Sequence, residues 1–194
     1  MTPLAFTWPY ALIFWGVLIW AYSPEFGIVQ RAQKTQSTTD SKSLQVIMMG
    51  QGLALLASFP LAWVQAFQFA PAHRGGAFYA GIAMLVVGSL LRRHCFRMLG
   101  SSFTGDVRAH EDQQVVARGA YRILRHPAYT AGIILNTALG VAMGSWGSAA
   151  LLAVASIAVY SYRISVEERA MLSAIGEPYR EFMITRKRLI PFIY

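Results

Sequence analysis

Two short groups of ionisable residues flank a long apolar stretch, and their types are suited to binding a charged ligand. The segment 125–129 reads Arg-His-Pro-Ala-Tyr and precedes the stretch, and the segment 163–168 reads Arg-Ile-Ser-Val-Glu-Glu and follows it. Ionisable side chains are costly to place at the boundary of a membrane span, so their presence there predicts a functional site.

The first group is expected to lie at the start of a helix. Pro127 suits the first helical turn, where its missing N–H would have had no partner. Free N–H groups and the positive end of the helix dipole at His126 would favour an anionic group such as a carboxylate. The structural alternative is that Arg125 and His126 form a collar at the membrane interface.

The second group combines a cation and two carboxylates on one predicted helix. Arg163 and Glu167 are four residues apart and so face each other, which on a solvated helix would be an ordinary stabilising pair. Glu168 lies about 100° around the helix from Glu167. We therefore expect one carboxylate to face the site and the other to be solvated, with Glu167 facing inward.

The stretch between the two groups predicts a hairpin of membrane helices. Residues 126–162 contain no Asp, Glu, Lys or Arg. This length exceeds one span and fits two of about 17–25 residues each. The sequence Gly-Ser-Trp-Gly-Ser at 144–148 supplies a turn near its middle. A helical hairpin over 128–162 would return Glu167 to the face of the membrane where His126 began.

The overall composition places the whole chain in the membrane. The 194 residues are 55% hydrophobic and only 13% charged, whereas soluble domains carry about 25% charged residues. The net charge of +8 belongs to residues that flank apolar runs, so it indicates basic loops rather than nucleic-acid binding. We expect one domain, 1–194, with no internal disulfide because Cys95 is the only cysteine.

Charge distribution predicts an all-α protein with five membrane spans. Charge-poor runs cover 1–24, 43–73 and 75–91, and the double run 126–162 completes the set. With the N-terminus outside, every Lys and Arg except Arg74 falls on the cytoplasmic side, in agreement with the positive-inside rule. The C-terminus and both ionisable groups would then face the cytoplasm.

The remaining polar segments offer few other catalytic patterns. The sequence contains no phosphate-binding loop, no dinucleotide-binding glycine motif and no nucleophile elbow. His94 and Cys95 have no second pair of metal ligands, so no metal site is expected. The few polar candidates for a transport pathway within the predicted spans, Gln51, Gln65 and Asn136, do not form one.

The segment after the hairpin predicts two short helices. A helix over 167–175 would end at Gly176, and a second would cover 179–185. Gly119 and Tyr121 precede the first ionisable group, where the glycine permits close approach of the backbone. Tyr121 could stack on a planar ligand or anchor the chain at the membrane interface.

Taken in order, these motifs resemble the isoprenylcysteine carboxyl methyltransferase family. The resemblance covers about 105–194, which would be the catalytic core, and the five-span length is similar to compact prokaryotic members. Its motifs are Gly119-x-Tyr121, Arg125-His126-Pro127-x-Tyr129, Arg163-x-x-x-Glu167-Glu168, Gly176-x-x-Tyr179 and Pro191-Phe192.

The resemblance implies an enzyme that uses S-adenosyl-L-methionine, with S-adenosyl-L-homocysteine as product. By residue-by-residue correspondence, the expected cofactor-binding residues are Gln113, Gln114, Val115, Val116, Tyr121, His126, Pro127, Ala128, Tyr129 and Glu167. The expected catalytic residues are Arg163 and Glu167, and Arg163 would bind the substrate. No metal is implied.

The implied acceptor is the α-carboxylate of a prenylated cysteine or a similar lipophilic acid. An α-carboxyl has a pKa of about 3.5, so it is already ionised and needs no general base. Arg163 could hold one of its oxygens while the other faces the methyl group. The prenyl tail would enter from the bilayer through gaps at small residues such as Gly81, Gly88, Gly132 and Gly140, which could equally serve close helix packing.

Three other functions remain compatible with the residues. A phospholipid headgroup amine methyltransferase would need a base, because an amine must lose a proton. A nicotinamide-dependent reductase of sterol-like enones has a related membrane fold. A small transporter or assembly factor is the non-enzymatic alternative. Membrane lipids are expected neighbours, and the oligomeric state stays open.

Overall fold

The protein is a bundle of helices in the computed structural model, which describes residues 1–34, 41–100 and 115–190. No β-strand occurs within these ranges, in agreement with the predicted all-α class. The helices are α1 (Tyr10–Lys34), α2 (Ser41–Trp63), α3 (Arg74–Leu99), α4 (Pro127–Ala142), α5 (Trp146–Ile175) and α6 (Glu177–Thr185).

Within the part of the chain that the structure describes, three helical segments are long and apolar enough to cross a membrane. They are Gln45–Trp63, Pro71–Leu99 and Trp146–Ile175. Helix α4 is apolar but has 16 residues, fewer than the roughly 20 that a perpendicular span needs. Its packing partners are α3 on one side and α5 on the other.

Small residues allow these helices to approach closely. A Cβ added at Gly81 would lie 2.2 Å from the backbone nitrogen of Ala142, and one at Gly140 would lie 2.2 Å from that of Ala149. Such contacts are typical of membrane helices that pack through small residues. Gly81 and Gly140 therefore serve helix packing, and the space beside them is filled rather than open to a lipid tail.

The predicted hairpin is present, and its turn lies where the sequence indicated. Gly144 has a positive φ of 78°, and the Ser145 hydroxyl accepts a hydrogen bond from the Ser148 N–H at the start of α5. The Gly144 carbonyl accepts from the Phe69 N–H at 3.0 Å. We call this end of the bundle, where Arg74 also contacts Thr2, the turn end.

At the opposite end, which we call the pocket end, α5 stops at Gly176, whose φ is 71°. Helix α6 follows at once and begins two residues before the expected 179. The chain then turns back: the Arg125 N–H donates to the Lys187 carbonyl at 2.8 Å and the His126 N–H to the Arg188 carbonyl at 3.1 Å. Residues 186–190, the tail strap, are thus tied to the start of α4.

Polar residues inside the bundle are joined by hydrogen bonds around Asn136. The Asn136 side chain donates to Gln51 at 3.2 Å and to Ser156 at 3.0 Å, and it accepts from the Tyr22 hydroxyl at 2.7 Å. These contacts link α1, α2, α4 and α5. The sequence could not reveal them because they depend on how each helix is rotated.

Candidate active site

The start of α4 is built as predicted, but most of its donors are already used. His126 caps the helix and Pro127 is its first residue. The N–H groups of Tyr129 and Thr130 donate to the His126 carbonyl at 3.0 and 3.3 Å. Since Pro127 has no N–H, at most the Ala128 N–H remains in this turn for an anionic ligand. The helix start is therefore a weaker anion site than its sequence indicated.

Glu168 is the more deeply buried of the two carboxylates, with only 3% of its surface exposed. It accepts from Arg125 at 2.8 Å, from Arg188 at 2.8 Å and from the Nε2 of His126 at 3.2 Å. The expectation that one of the two carboxylates would be solvated is wrong. Three donors from outside α5 surround Glu168 and offset the cost of burying its charge.

Glu167 also faces inward, on the side of Arg163. Its Oε1 accepts from the Arg163 Nε at 3.1 Å and from the Tyr129 hydroxyl, and its Oε2 lies 3.6 Å from the Nδ1 of His126. The predicted pairing of Arg163 with Glu167 is confirmed. The Glu167 side chain keeps 21% of its surface exposed, so it is the more accessible carboxylate.

His126 lies between the two carboxylates. Its Nε2 is 3.2 Å from Glu168 and its Nδ1 is 3.6 Å from Glu167. An ionised carboxylate can only accept hydrogen bonds, so the imidazole nitrogen facing Glu168 acts as a donor. The ring therefore connects the carboxylates.

Arg163 joins α5 to the first turn of α2. The residue is 2% exposed, and besides its bond to Glu167 it donates through Nη1 to the Ser43 hydroxyl. A buried guanidinium with its donors directed at defined partners has a fixed orientation. Arg163 thus presents a positive charge beside the negative charge of Glu167.

An apolar wall completes the pocket end. Tyr121, Cys95 and Ala128 are buried together, and Val116 packs against them. Burial raises the pKa of the Tyr121 hydroxyl, which therefore stays neutral. Pro127 is fully buried and Val115 is half-buried, whereas the predicted residues Gln113 and Gln114 lie outside the described ranges.

The site also contains residues to which the sequence assigned no role in it. Arg188 in the tail strap bonds Glu168, and the buried Tyr179 of α6 lies close enough to Glu168 for the carboxylate to raise its pKa further, after burial itself. The Arg-Lys-Arg run at 186–188 was available as a signal, but it indicated only which side of the membrane the tail occupies.

Together, the fold and the site define a class of protein: a helical membrane protein with a largely buried cluster of ion pairs at one end of its bundle. A solved structure, described as the eukaryotic intramembrane Ras methyltransferase ICMT (isoprenylcysteine carboxyl methyltransferase), superimposes with a TM-score of 0.70. The match covers 93% of this chain and 67% of that one at 24% sequence identity, and it shows a shared fold.

Sequence comparison finds similarity to one family over part of the chain. Residues 81–173 match the model of the isoprenylcysteine carboxyl methyltransferase (ICMT) family. The chain is 30% identical over 117 residues to the probable protein-S-isoprenylcysteine O-methyltransferase of Oryza sativa subsp. indica, covering 59% of this chain and 61% of the relative. It is 30% identical over 115 residues to protein-S-isoprenylcysteine O-methyltransferase B of Arabidopsis thaliana, covering 58% of each. The chain is thus similar to ICMT-family proteins over this part of its length, and it spans about six-tenths of these relatives' lengths.

Proposed function

We propose that the protein is an integral membrane methyltransferase that uses S-adenosyl-L-methionine to methyl-esterify the α-carboxylate of a prenylated cysteine or a similar lipophilic acid. The observation that carries this proposal is the contact between Arg163 and Glu167 at 3.1 Å in the pocket end. In this pair, Arg163 offers a positive charge to the acceptor carboxylate, and Glu167 offers a negative charge to the positively charged cofactor. The names of the rice and Arabidopsis relatives support the same reaction.

The chemistry of the pocket residues fits the cofactor. Its ammonium suits Glu167, the more accessible carboxylate. Its own carboxylate suits Arg125, whose buried Nε has no hydrogen-bond partner among the described residues. When bound, the cofactor would supply a methyl group on a sulfonium sulfur, and transfer to a carboxylate oxygen breaks the C–S bond, forms a C–O bond and leaves S-adenosyl-L-homocysteine.

The chain's contribution to the reaction is then mainly to position the two reactants. Arg163 would take up the acceptor carboxylate in exchange for the neutral Ser43 hydroxyl, because a charged acceptor forms the stronger hydrogen bond. One carboxylate oxygen would remain directed at the methyl group. The acceptor's tail would lie in the bilayer, where transfer of apolar groups from water is favourable.

The position of His126 favours a carboxylate acceptor over an amine. An amine acceptor must give up a proton to a base. The imidazole of His126 has Glu168 on one nitrogen and Glu167 near the other. Its Nε2 is thus engaged with Glu168, and a carboxylate acceptor, which is already ionised, requires no base at all.

We assign five membrane spans, with the pocket end in the cytoplasm. Arg93, Arg118 and Arg122 are near the pocket end, and Arg74 is at the turn end beside the N-terminal residues. A basic cytoplasmic side agrees with the positive-inside rule. The α4–α5 hairpin would supply the fourth and fifth spans, with the short α4 shielded between α3 and α5.

The proposal can be tested with the purified protein in lipid nanodiscs. We expect methyl transfer from labelled S-adenosylmethionine to an N-acetyl S-prenylcysteine, with release of the label by mild base because the product is an ester. The matched control is the same compound with a carboxamide in place of the carboxylate, which should accept no methyl group. A base-stable product on a phospholipid amine, or no cofactor binding by calorimetry, would contradict the proposed reaction.

A further inference from the structure

A second ion pair, between a buried arginine and a partly exposed glutamate, lies next to the proposed cofactor segment. Arg92 of α3 is 8% exposed, and it contacts both carboxylate oxygens of Glu25 in α1: its Nε pairs with Oε1, and its Nη2 lies 2.9 Å from Oε2. This two-point contact fixes the plane of the guanidinium. Helices α1 and α3 are thereby joined at the pocket end.

The remaining edge of the same guanidinium reaches the cofactor segment. The Nη1 of Arg92 donates to the Ala128 carbonyl at 2.7 Å, in the first turn of α4. Gly132, one turn further on, leaves the necessary room, because a Cβ there would lie 3.1 Å from this Nη1 and 2.7 Å from the Tyr160 hydroxyl. Arg92 therefore connects three helices.

Only arginine can make this set of contacts. Its planar group carries donors on two edges, whereas the compact ammonium of lysine cannot bind a carboxylate at two points and also reach a carbonyl beyond it. This ion pair is weak evidence for stability alone, because burying the Arg92 charge has a cost that offsets much of the attraction to Glu25. The contact to Ala128 indicates a second role.

We propose that Arg92, oriented by Glu25, is a positioning residue that sets the height and rotation of segment 126–129 in the pocket. This inference rests on the proposed cofactor-binding role of that segment. It extends the site to α1, which lies outside the family match at 81–173. The expected result of disturbing Arg92 is loss of cofactor affinity with little change in the acceptor KM.

A charge swap separates this role from a simple attachment of α1 to α3. In the double variant Glu25→Arg with Arg92→Glu, the ion pair can form again, but the donor to Ala128 is replaced by a carboxylate. We expect the melting temperature of the double variant to recover toward that of the unaltered protein. Its Kd for S-adenosylmethionine should nevertheless stay about tenfold higher, and the Kd of Arg92→Lys should be raised by a similar factor. Recovery of both quantities in the swap would overturn the proposal.

Arg93 provides the matched control. It is the next residue on α3, but its guanidinium donates to the Trp20 carbonyl at 2.6 Å and to Ser23 at 2.8 Å, and it stacks over the Trp20 ring. Arg93→Lys should leave the Kd for the cofactor unchanged. A loss equal to that of Arg92→Lys would show that any basic residue near this position suffices, and the proposal would fail.

Hydrogen exchange keeps the test independent of the proposed reaction. The amides of Tyr129 and Thr130 donate to the His126 carbonyl, so their protection reports the position of the segment without any ligand. We expect faster exchange at both amides in Arg92→Lys and in the swap, but not in Arg93→Lys. If the unaltered protein binds no cofactor, the proposed function fails, whereas unchanged exchange in the Arg92 variants refutes the positioning role.

Discussion

Adjacent carboxylates at 167 and 168 have different surroundings, and this difference leads us to predict different tasks for them. Glu168 has a side-chain exposure of 4% and is bonded by Arg125 and Arg188, whereas Glu167 has 21% and is bonded by Arg163 and Tyr129. A buried carboxylate among cations holds a structure together. One that retains access can exchange partners when a ligand enters.

Substituting each carboxylate by its amide should separate these tasks. Glu168→Gln leaves two partly buried guanidinium groups, those of Arg125 and Arg188, without their counter-charge, so we expect a loss of about 3 kcal/mol in the free energy of unfolding. Glu167→Gln should lower stability less, but it should raise the Kd for S-adenosylmethionine about tenfold. Thermal unfolding and calorimetric titration measure the two effects. The reverse pattern would show that Glu168 is the residue that meets the cofactor.

Arg163 is expected to act on the acceptor more than on the cofactor. Arg163→Ala removes the cation assigned to the acceptor carboxylate, so the KM for the prenylcysteine should rise by at least about tenfold while the cofactor Kd changes less. Steady-state kinetics with varied acceptor, together with calorimetry, provide the comparison. Equal losses in both quantities would contradict the assigned role.

Among the elements, the tail strap has the most direct connection to the site. It is tied to the start of α4 by two backbone hydrogen bonds and by the Thr130 hydroxyl, which donates to the Leu189 carbonyl at 2.7 Å. Its side chain Arg188 bonds Glu168. The strap therefore holds the two ionisable groups of the site together from outside the bundle.

Neighbouring residues of the strap permit a matched test. Arg188→Gln removes the bond to Glu168, whereas Lys187 contributes its backbone carbonyl and keeps its side chain exposed. We expect Arg188→Gln to speed amide hydrogen exchange at residues 125 and 126 and to raise the Kd for the cofactor. Lys187→Gln should change neither quantity. Similar effects of both substitutions would indicate that general positive charge, not the bond to Glu168, is what matters.

The packing of α4 against α5 depends on a glycine. Gly140→Ala would place a methyl group 2.2 Å from the Ala149 backbone nitrogen, so the helices must separate, at a cost on the order of 1–3 kcal/mol. Gly52→Ala is the control, since nothing lies within 4 Å of its added Cβ, and its effect should stay within about 1 kcal/mol. Thermal unfolding measures both effects, and equal melting temperatures for Gly140→Ala and Gly52→Ala would contradict the close contact between α4 and α5.

For the molecule as a whole, the proposed orientation predicts which end is accessible from outside the cell. With Cys95→Ala as background, Ala72→Cys lies at the turn end and Arg122→Cys near the pocket end, and both positions are exposed. A membrane-impermeant maleimide should label Ala72→Cys in intact cells and Arg122→Cys only after permeabilisation. The opposite labelling would place the pocket outside and contradict the cytoplasmic site.

Much of this architecture could be predicted before any coordinates. The charge-free stretch 126–162 predicted the hairpin because charged residues are excluded from spans, and the 3.6-residue period paired Arg163 with Glu167. The helix start at His126 and the stop at Gly176 followed from proline and glycine chemistry. These features are local, or depend only on counting along the chain.

The sequence alone thus determined the membrane class, the hairpin and the approach of segment 163–168 to segment 125–129. Only the tertiary structure decided that Glu168 points inward, that Arg188 returns to bond it, and that Arg92 reaches from Glu25 to Ala128. The reason is geometric. Such contacts join residues far apart in the chain, and they form only at one rotation and one spacing of each helix, which close contacts such as Gly81 against Ala142 establish.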